Sequence, residues 1–150
     1  MRDQQMEDIM KRTFIYISAL LLSLAFLGIS HAAPFVTLPD GLEYKDLKIG
    51  TGMQAQSGAT AVIHFIGWVD NNGQRGKEIF NSRKENKPVS FVIGTENVMQ
   101  GWNKGVLGMR AGGTRLLKIP PELGYGAKEV DDVVPPHAHL LFVIELLKVK

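Results

Sequence analysis

The sequence contains no cysteine. Disulfides, thiolate nucleophiles, zinc-thiolate centres and iron-sulfur clusters are therefore excluded, although an oxidising compartment is not. An excess of one charge is missing too. The chain has 17 lysines and arginines against 15 acidic residues, a formal net charge of +2, with no basic run in its body. Nothing there makes an electrostatic case for nucleic acid. Gly124-Tyr125-Gly126 has too few glycines for a dinucleotide fingerprint, and neither a phosphate-cradling loop with its lysine nor a nucleophile elbow occurs. Long apolar runs are scarce. FIYISALLLSLAFLGI, from Phe14 to Ile29, holds about 16 residues against the roughly 20 of a membrane-spanning helix.

That run follows Lys11 and Arg12 and leads into Ser30-His31-Ala32, the order of a secretory signal peptide and its small-residue cleavage site. Residues 1–32 are read as that signal, with Met10 the better start because residues 1–9 are polar and acidic. Without a cysteine no lipid anchor follows. The expectation is a mature chain free in a bacterial periplasm or secreted, with no membrane attachment after cleavage near Ala32. Its length of about 118 residues buries roughly two-thirds of the unfolded surface, enough for an independent core.

Beyond the signal the chain reads as one domain. Residues 33–40 form a proline-flanked extended lead-in, and residues 41–150 carry the fold. Strand signals occupy Leu42 to Leu47, Ala61 to Val69, Pro88 to Ile93, Arg115 to Ile119 and Leu140 to Val149. Asp70 to Gly76, DNNGQRG, reads as a polar loop with an Asn-Gly turn signal. One segment reads as helix, Asn97 to Gly105, although Gly101 and Gly105 weaken it by roughly 2 kcal/mol relative to alanine. The outline is an α+β fold, a mostly antiparallel sheet of about five strands with one short helix laid on it.

Few residues offer chemistry. His137 and His139 are two apart and on a strand would share a face, but no third ligand stands near, and they read as ordinary exposed histidines rather than a metal pair. His64, mid-strand among apolar neighbours, reads as a hydrogen-bonded structural histidine. What remains is a set of aromatic and branched side chains beside loops: Phe65, Phe80, Val98, Met99, Trp102, Tyr125, Val133, Val134 and Phe142. They read as core or, because Tyr125 and Val133-Val134 lie in loops, as the lining of one pocket.

The ordered blocks HFIGW, IFNSR, KPVSFVIG, VMQGW, GMRAGG, LLKIPPELGYGA, VVPPHAHLLF and ELLKV resemble the FKBP family of peptidyl-prolyl cis-trans isomerases, immunophilins that bind macrolides such as rapamycin. The likeness spans about Gly41 to Lys150, and the lead-in TLPDGLEYKDLKIGTG resembles exported bacterial members. It implies a curved antiparallel sheet wrapped over the helix, and a pocket whose floor is Trp102. Position by position it implies a catalytic set of Tyr125, Trp102, Phe142, Asn81 and Phe65. Substrate-binding walls would come from Phe80, Val89, Val98, Met99, Val133 and Val134. The Tyr125 hydroxyl and the Met99 N–H would each bind a substrate carbonyl. No metal and no cofactor are implied, because an X-Pro amide needs only to be twisted.

Three positions depart from the family pattern. Phe65 stands for a tyrosine and Asn81 for an aspartate that pair in the family, and Val89 stands for an aromatic. The Trp68 to Ile79 segment is also longer than in compact members. These changes make the pocket less polar and lower the expected affinity for macrolides. The implied partners are proline-containing polypeptides, and the expected state is a monomer. The implied function is an isomerase assisting the folding of exported proteins, the alternative a proline-segment-binding chaperone or scaffold domain with low turnover. Amino-terminal sequencing of the exported chain is expected to begin at Ala33; a sequence still carrying the Phe14 to Ile29 run would show an uncleaved anchor.

Overall fold

The computed structural model describes residues 34–150; the segment 1–32 that the sequence suggests to be a signal peptide lies outside the described residues. Seven strands and one helix follow in chain order: β1 (Val36–Thr37), β2 (Glu43–Lys48), β3 (Thr60–Asn71), β4 (Gln74–Asn81), β5 (Val89–Val92), α1 (Gln100–Val106), β6 (Thr114–Ile119) and β7 (Leu140–Val149). A 3₁₀ turn at Pro121–Leu123 follows β6. Every strand pairing is antiparallel, in the order β1-β2-β6-β7-β3-β4, with β5 paired to β3 ahead of β4. The class is α+β, as expected, with seven strands where the sequence suggested about five.

The two additional strands have weak sequence signals for physical reasons. β1 is only two residues of the lead-in, extended against Tyr44 and Glu43. β4 crosses the segment read as a polar loop. Of its residues QRGKEIFN half are exposed and none is fully buried, so no apolar alternation marks them. The Asn-Gly signal was a hairpin turn rather than a loop. Asn72 and Gly73 both take positive φ, 53° and 83°, the backbone of a two-residue turn matched to strand twist. Asp70 Oδ1 accepts the Gly73 N–H across it at 2.6 Å.

Alternation builds the core. Register pairs Leu117 with Phe142 and Ile119 with Leu140, while Gly67 and Phe65 of β3 lie opposite Phe142 and Ile144. This face of the sheet meets α1. Ile63, Leu117, Leu140, Phe142, Ile144 and Leu146 are fully buried there.

The helix sits close because its glycines permit it. A Cβ on Gly101 would lie 2.5 Å from Ile119 Cγ2, and one on Gly105 would lie 2.4 Å from Leu117 Cδ1. Arg115 fastens the far end of the helix. Its guanidinium is buried, makes a two-pronged pair with Asp46 at 2.7 and 3.1 Å, stacks on the Tyr44 ring and donates to the Gly105 and Leu107 carbonyls. It thereby satisfies carbonyls that the helix end leaves without partners.

Gly105→Ala is a direct test of this seam. Alanine gains about 1 kcal/mol of helix propensity, but overpacking against an immobile leucine costs about 1–3 kcal/mol. A net loss of about 1–2 kcal/mol in denaturant unfolding is expected, and a stabilised variant would show that the helix can move away from the sheet.

Candidate functional site

Against the buried face of the sheet, α1 presents Trp102, which is only 9% exposed. Its indole is boxed by three phenylalanines. Phe65 stands edge-on at 4.6 Å between ring centroids, Phe142 edge-on at 5.5 Å, and Phe91 lies tilted at 5.9 Å. The indole Nε1–H is buried with no hydrogen-bond partner among the described residues, so packing alone holds the ring. Above it opens a cleft of about 520 Å³, bordered by Asn97, Val98, Met99, Gln100, Trp102 and Tyr125 together with Glu96 and Gly124. That volume is in the range of small-molecule sites.

The structure brings Trp102, Val98, Met99 and Tyr125 together at this cleft. Phe80 joins them through Tyr125, with ring centroids 6.3 Å apart. Phe65 and Val89 are half-buried and pack on the core cluster beside them. Phe142 and Val134 are fully buried, at 0% and 1% exposure, and present no surface to a ligand; Phe142 packs edge-on against the Trp102 indole. Val133 is half-buried in the Val130–Val134 turn and does not border the cleft. Among the described residues no three His, Asp or Glu side chains cluster, and His137 and His139 are exposed.

Phe65 and Asn81 do not share a hydrogen bond. The Asn81 amide is spent on the turn that leaves β4: Oδ1 accepts the N–H groups of Arg83 and Lys84 at 3.1 and 3.3 Å, and Nδ2 donates to Glu78 at 3.3 Å. Ser82 is the residue that grips Phe65. Its Oγ accepts the Phe65 N–H at 2.9 Å, lies 3.2 Å from the Phe65 carbonyl and 2.9 Å from His64 Nδ1. His64 is thus the hydrogen-bonded structural histidine that its place among apolar neighbours suggested.

Sequence reasoning missed the residues that hold the cleft's near wall. Asn103 is buried; its Oδ1 accepts the Gly94 N–H at 2.9 Å and its Nδ2 donates to the Thr95 carbonyl at 2.6 Å. It ties the helix to the loop from which Glu96 and Asn97 reach the cleft. A lone polar residue beside the tryptophan was the available signal, but an asparagine in a helix is usually at the surface.

Residues 51–147 match the model of the FKBP-type peptidyl-prolyl cis-trans isomerase family. The chain belongs to that family. It is 41% identical over 109 residues to an FK506-binding protein of Neisseria meningitidis, covering 73% of this chain and 96% of the relative. A chloroplastic isomerase of Arabidopsis thaliana, FKBP16-4, is 39% identical over 125 residues, 77% of this chain and 51% of its own. The crystal structure of AtFKBP13 superposes with a TM-score of 0.70 at 33% identity, covering 79% of this chain and all of that one. FkpA from Escherichia coli gives 0.69 at 28% identity, over 99% of this chain and 71% of the other. This FKBP-type chain is accordingly a peptidyl-prolyl cis-trans isomerase.

Tyr125 is half-buried at the cleft. Burial raises its pKa above the ordinary 10.0. The folded protein therefore holds the phenol proton more tightly than the unfolded chain. The associated stability is intact below about pH 10 and is lost as pH rises through the raised value. Across neutral pH the hydroxyl remains a donor. Tyr125→Phe is expected to lower catalytic efficiency about two- to tenfold, a loss that stays constant from about pH 6 to 9, while the fold persists. Trp102→Ala should abolish activity and cost about 3–5 kcal/mol in unfolding. Equal destabilisation by both variants would place Tyr125 in the core rather than at the site.

Proposed function

We propose that this isomerase acts on exported proteins, taking the proline ring of an X-Pro segment onto the Trp102 indole. The observation that carries the reading is the aromatic box: one tryptophan held by three phenylalanines at the base of an open cleft, with a single phenol at its rim. The order of charge, apolar run and small residues before Ala33 supports export.

The chemistry follows from the amide. Resonance holds the X-Pro bond planar, and uncatalysed exchange takes roughly 10–100 s. At the twisted transition state that resonance is lost and the carbonyl oxygen carries less charge than in the planar form. A water-poor aromatic surface disfavours the planar, polar amide more than the twisted one, which lowers the barrier. Trp102 seats the ring, and Phe65 and Phe80 exclude water beside it. The Tyr125 hydroxyl and the Met99 N–H each donate to a carbonyl of the substrate and fix its register. The Met99 N–H is suited to this because it makes no hydrogen bond among the described residues, while its carbonyl starts the helix by accepting from Trp102.

Relatives named for FK506 support macrolide binding at the same cleft. Phe65, in place of a hydroxyl-bearing ring, and Asn81, bound into its own turn, leave that cleft less polar and the affinity lower. Exchange NMR on an alanyl-proline peptide tests the activity at this site. Catalytic amounts of the protein should accelerate cis-trans exchange, and FK506 in excess should suppress the acceleration. Binding of the peptide without acceleration would instead make the chain a proline-segment holder.

A further inference from the structure

One sheet edge borders the cleft and is left open among the described residues. β5 pairs with β3 alone, Val92 opposite Thr60, Phe91 opposite Ala61, Ser90 opposite Val62 and Val89 opposite Ile63. The Ile93 N–H donates to the Ala59 carbonyl at 2.9 Å, which sets the phase of the ladder. Bonding alternates along an antiparallel pair, so Phe91 and Val89 exchange hydrogen bonds with β3 while Ser90 and Val92 turn their backbone groups outward. The Val92 carbonyl is taken by Thr95 Oγ1 at 2.9 Å. The Ser90 N–H, the Ser90 carbonyl and the Val92 N–H have no partner among the described residues.

Proteins ordinarily blunt such edges by keeping them very short or with lysine, proline or a bulge, and here Lys87 and Pro88 stop just before the strand begins. The four residues Val-Ser-Phe-Val carry no charge, and both outward-facing residues are exposed, Val92 to 41%. A groove of about 340 Å³ runs along this edge past Ser90, Val92 and Thr95, and shares Asn97 and Val98 with the proline cleft. Edge and cleft are thus one continuous surface.

We propose that the open edge of β5 is a strand-docking site, on which the extended residues flanking the substrate proline add to the sheet through main-chain hydrogen bonds. The occupant is the same polypeptide whose proline lies on Trp102, so the inference rests on the proposed reading of that cleft. Recognition by main-chain groups is indifferent to side-chain sequence. It therefore lengthens the grip on an unfolded chain without narrowing the range of clients.

The test compares a four-residue Ala-Pro peptide with a ten-residue peptide that shares its centre, titrated onto the intact mature chain by calorimetry. The longer peptide should bind about tenfold more tightly, the equivalent of two or three net hydrogen bonds. Ser90→Pro removes an outward N–H and sets a ring on the edge while leaving the bonded pairs at Phe91 and Val89 in place. It should abolish the length advantage and leave affinity for the short peptide and its turnover unchanged. Methylating flank amide nitrogens one at a time probes the edge without altering the protein, and should remove the advantage at alternate positions only. A parent with no length advantage, an advantage that survives in Ser90→Pro, or methylation effects without alternation would overturn the proposal. So would concentration-dependent self-association that Ser90→Pro abolishes, since the edge would then belong to a second copy of the chain. Turnover of the four-residue peptide reports separately on the cleft: a length advantage lost in Ser90→Pro, without turnover, would sustain the docking edge and refute the isomerase site.

Discussion

The distance between α1 and the sheet is the constraint on which the site depends. Gly101 and Gly105 face Ile119 and Leu117 with no room for even a methyl group between them. Trp102, next to the first of these glycines, is thereby pressed into the angle between Phe65, Phe91 and Phe142. The two glycines sacrifice roughly 2 kcal/mol of helix propensity, and burial of a large aromatic side chain, which contributes roughly 1.5–3 kcal/mol, is of the size needed to offset that loss. A better helix former at either position would lift the helix and unseat the floor of the cleft.

Polar residues do the positioning around this apolar centre. Arg115 anchors the end of α1, Asn103 holds the Gly94-Thr95 loop, and Ser82 clasps the backbone of Phe65. Each is buried and each has its hydrogen bonds made, which keeps its desolvation cost covered. None is in contact with the space above Trp102. The cleft consequently has a hydrogen-bonded frame, an aromatic floor at Trp102 and polar side chains at its border, Glu96, Asn97 and Gln100.

The paired departures at Phe65 and Asn81 fit the same division. A tyrosine and an aspartate that bond to each other form a unit, and replacing only one would orphan the other. With Phe65 in place the ring packs edge-on against Trp102, and the Asn81 amide turns to its own loop, where it satisfies two backbone donors and Glu78. Neither Phe65 nor Asn81 leaves a buried side-chain polar atom without a partner among the described residues.

Much of this molecule was legible in its sequence because the signals are local. Five strands, the helix that carries Trp102 and the α+β class follow from apolar runs, glycine and proline punctuation and one weak helical segment. The ordered motif blocks identified the family and, with it, Trp102, Val98, Met99 and Tyr125 as cleft residues. β4 was not legible, because a strand with no fully buried residue has no hydrophobic period to reveal it. Neither was the difference between Val98, which borders the cleft, and Val134 or Phe142, which are fully buried. All three are apolar residues beside loops or in a strand. Only the packing of helix, sheet and loops decides which of them meets solvent. The roles of Asn103 and Ser82 are likewise tertiary: a polar side chain becomes a brace only when folding brings it to backbone groups that have no other partner.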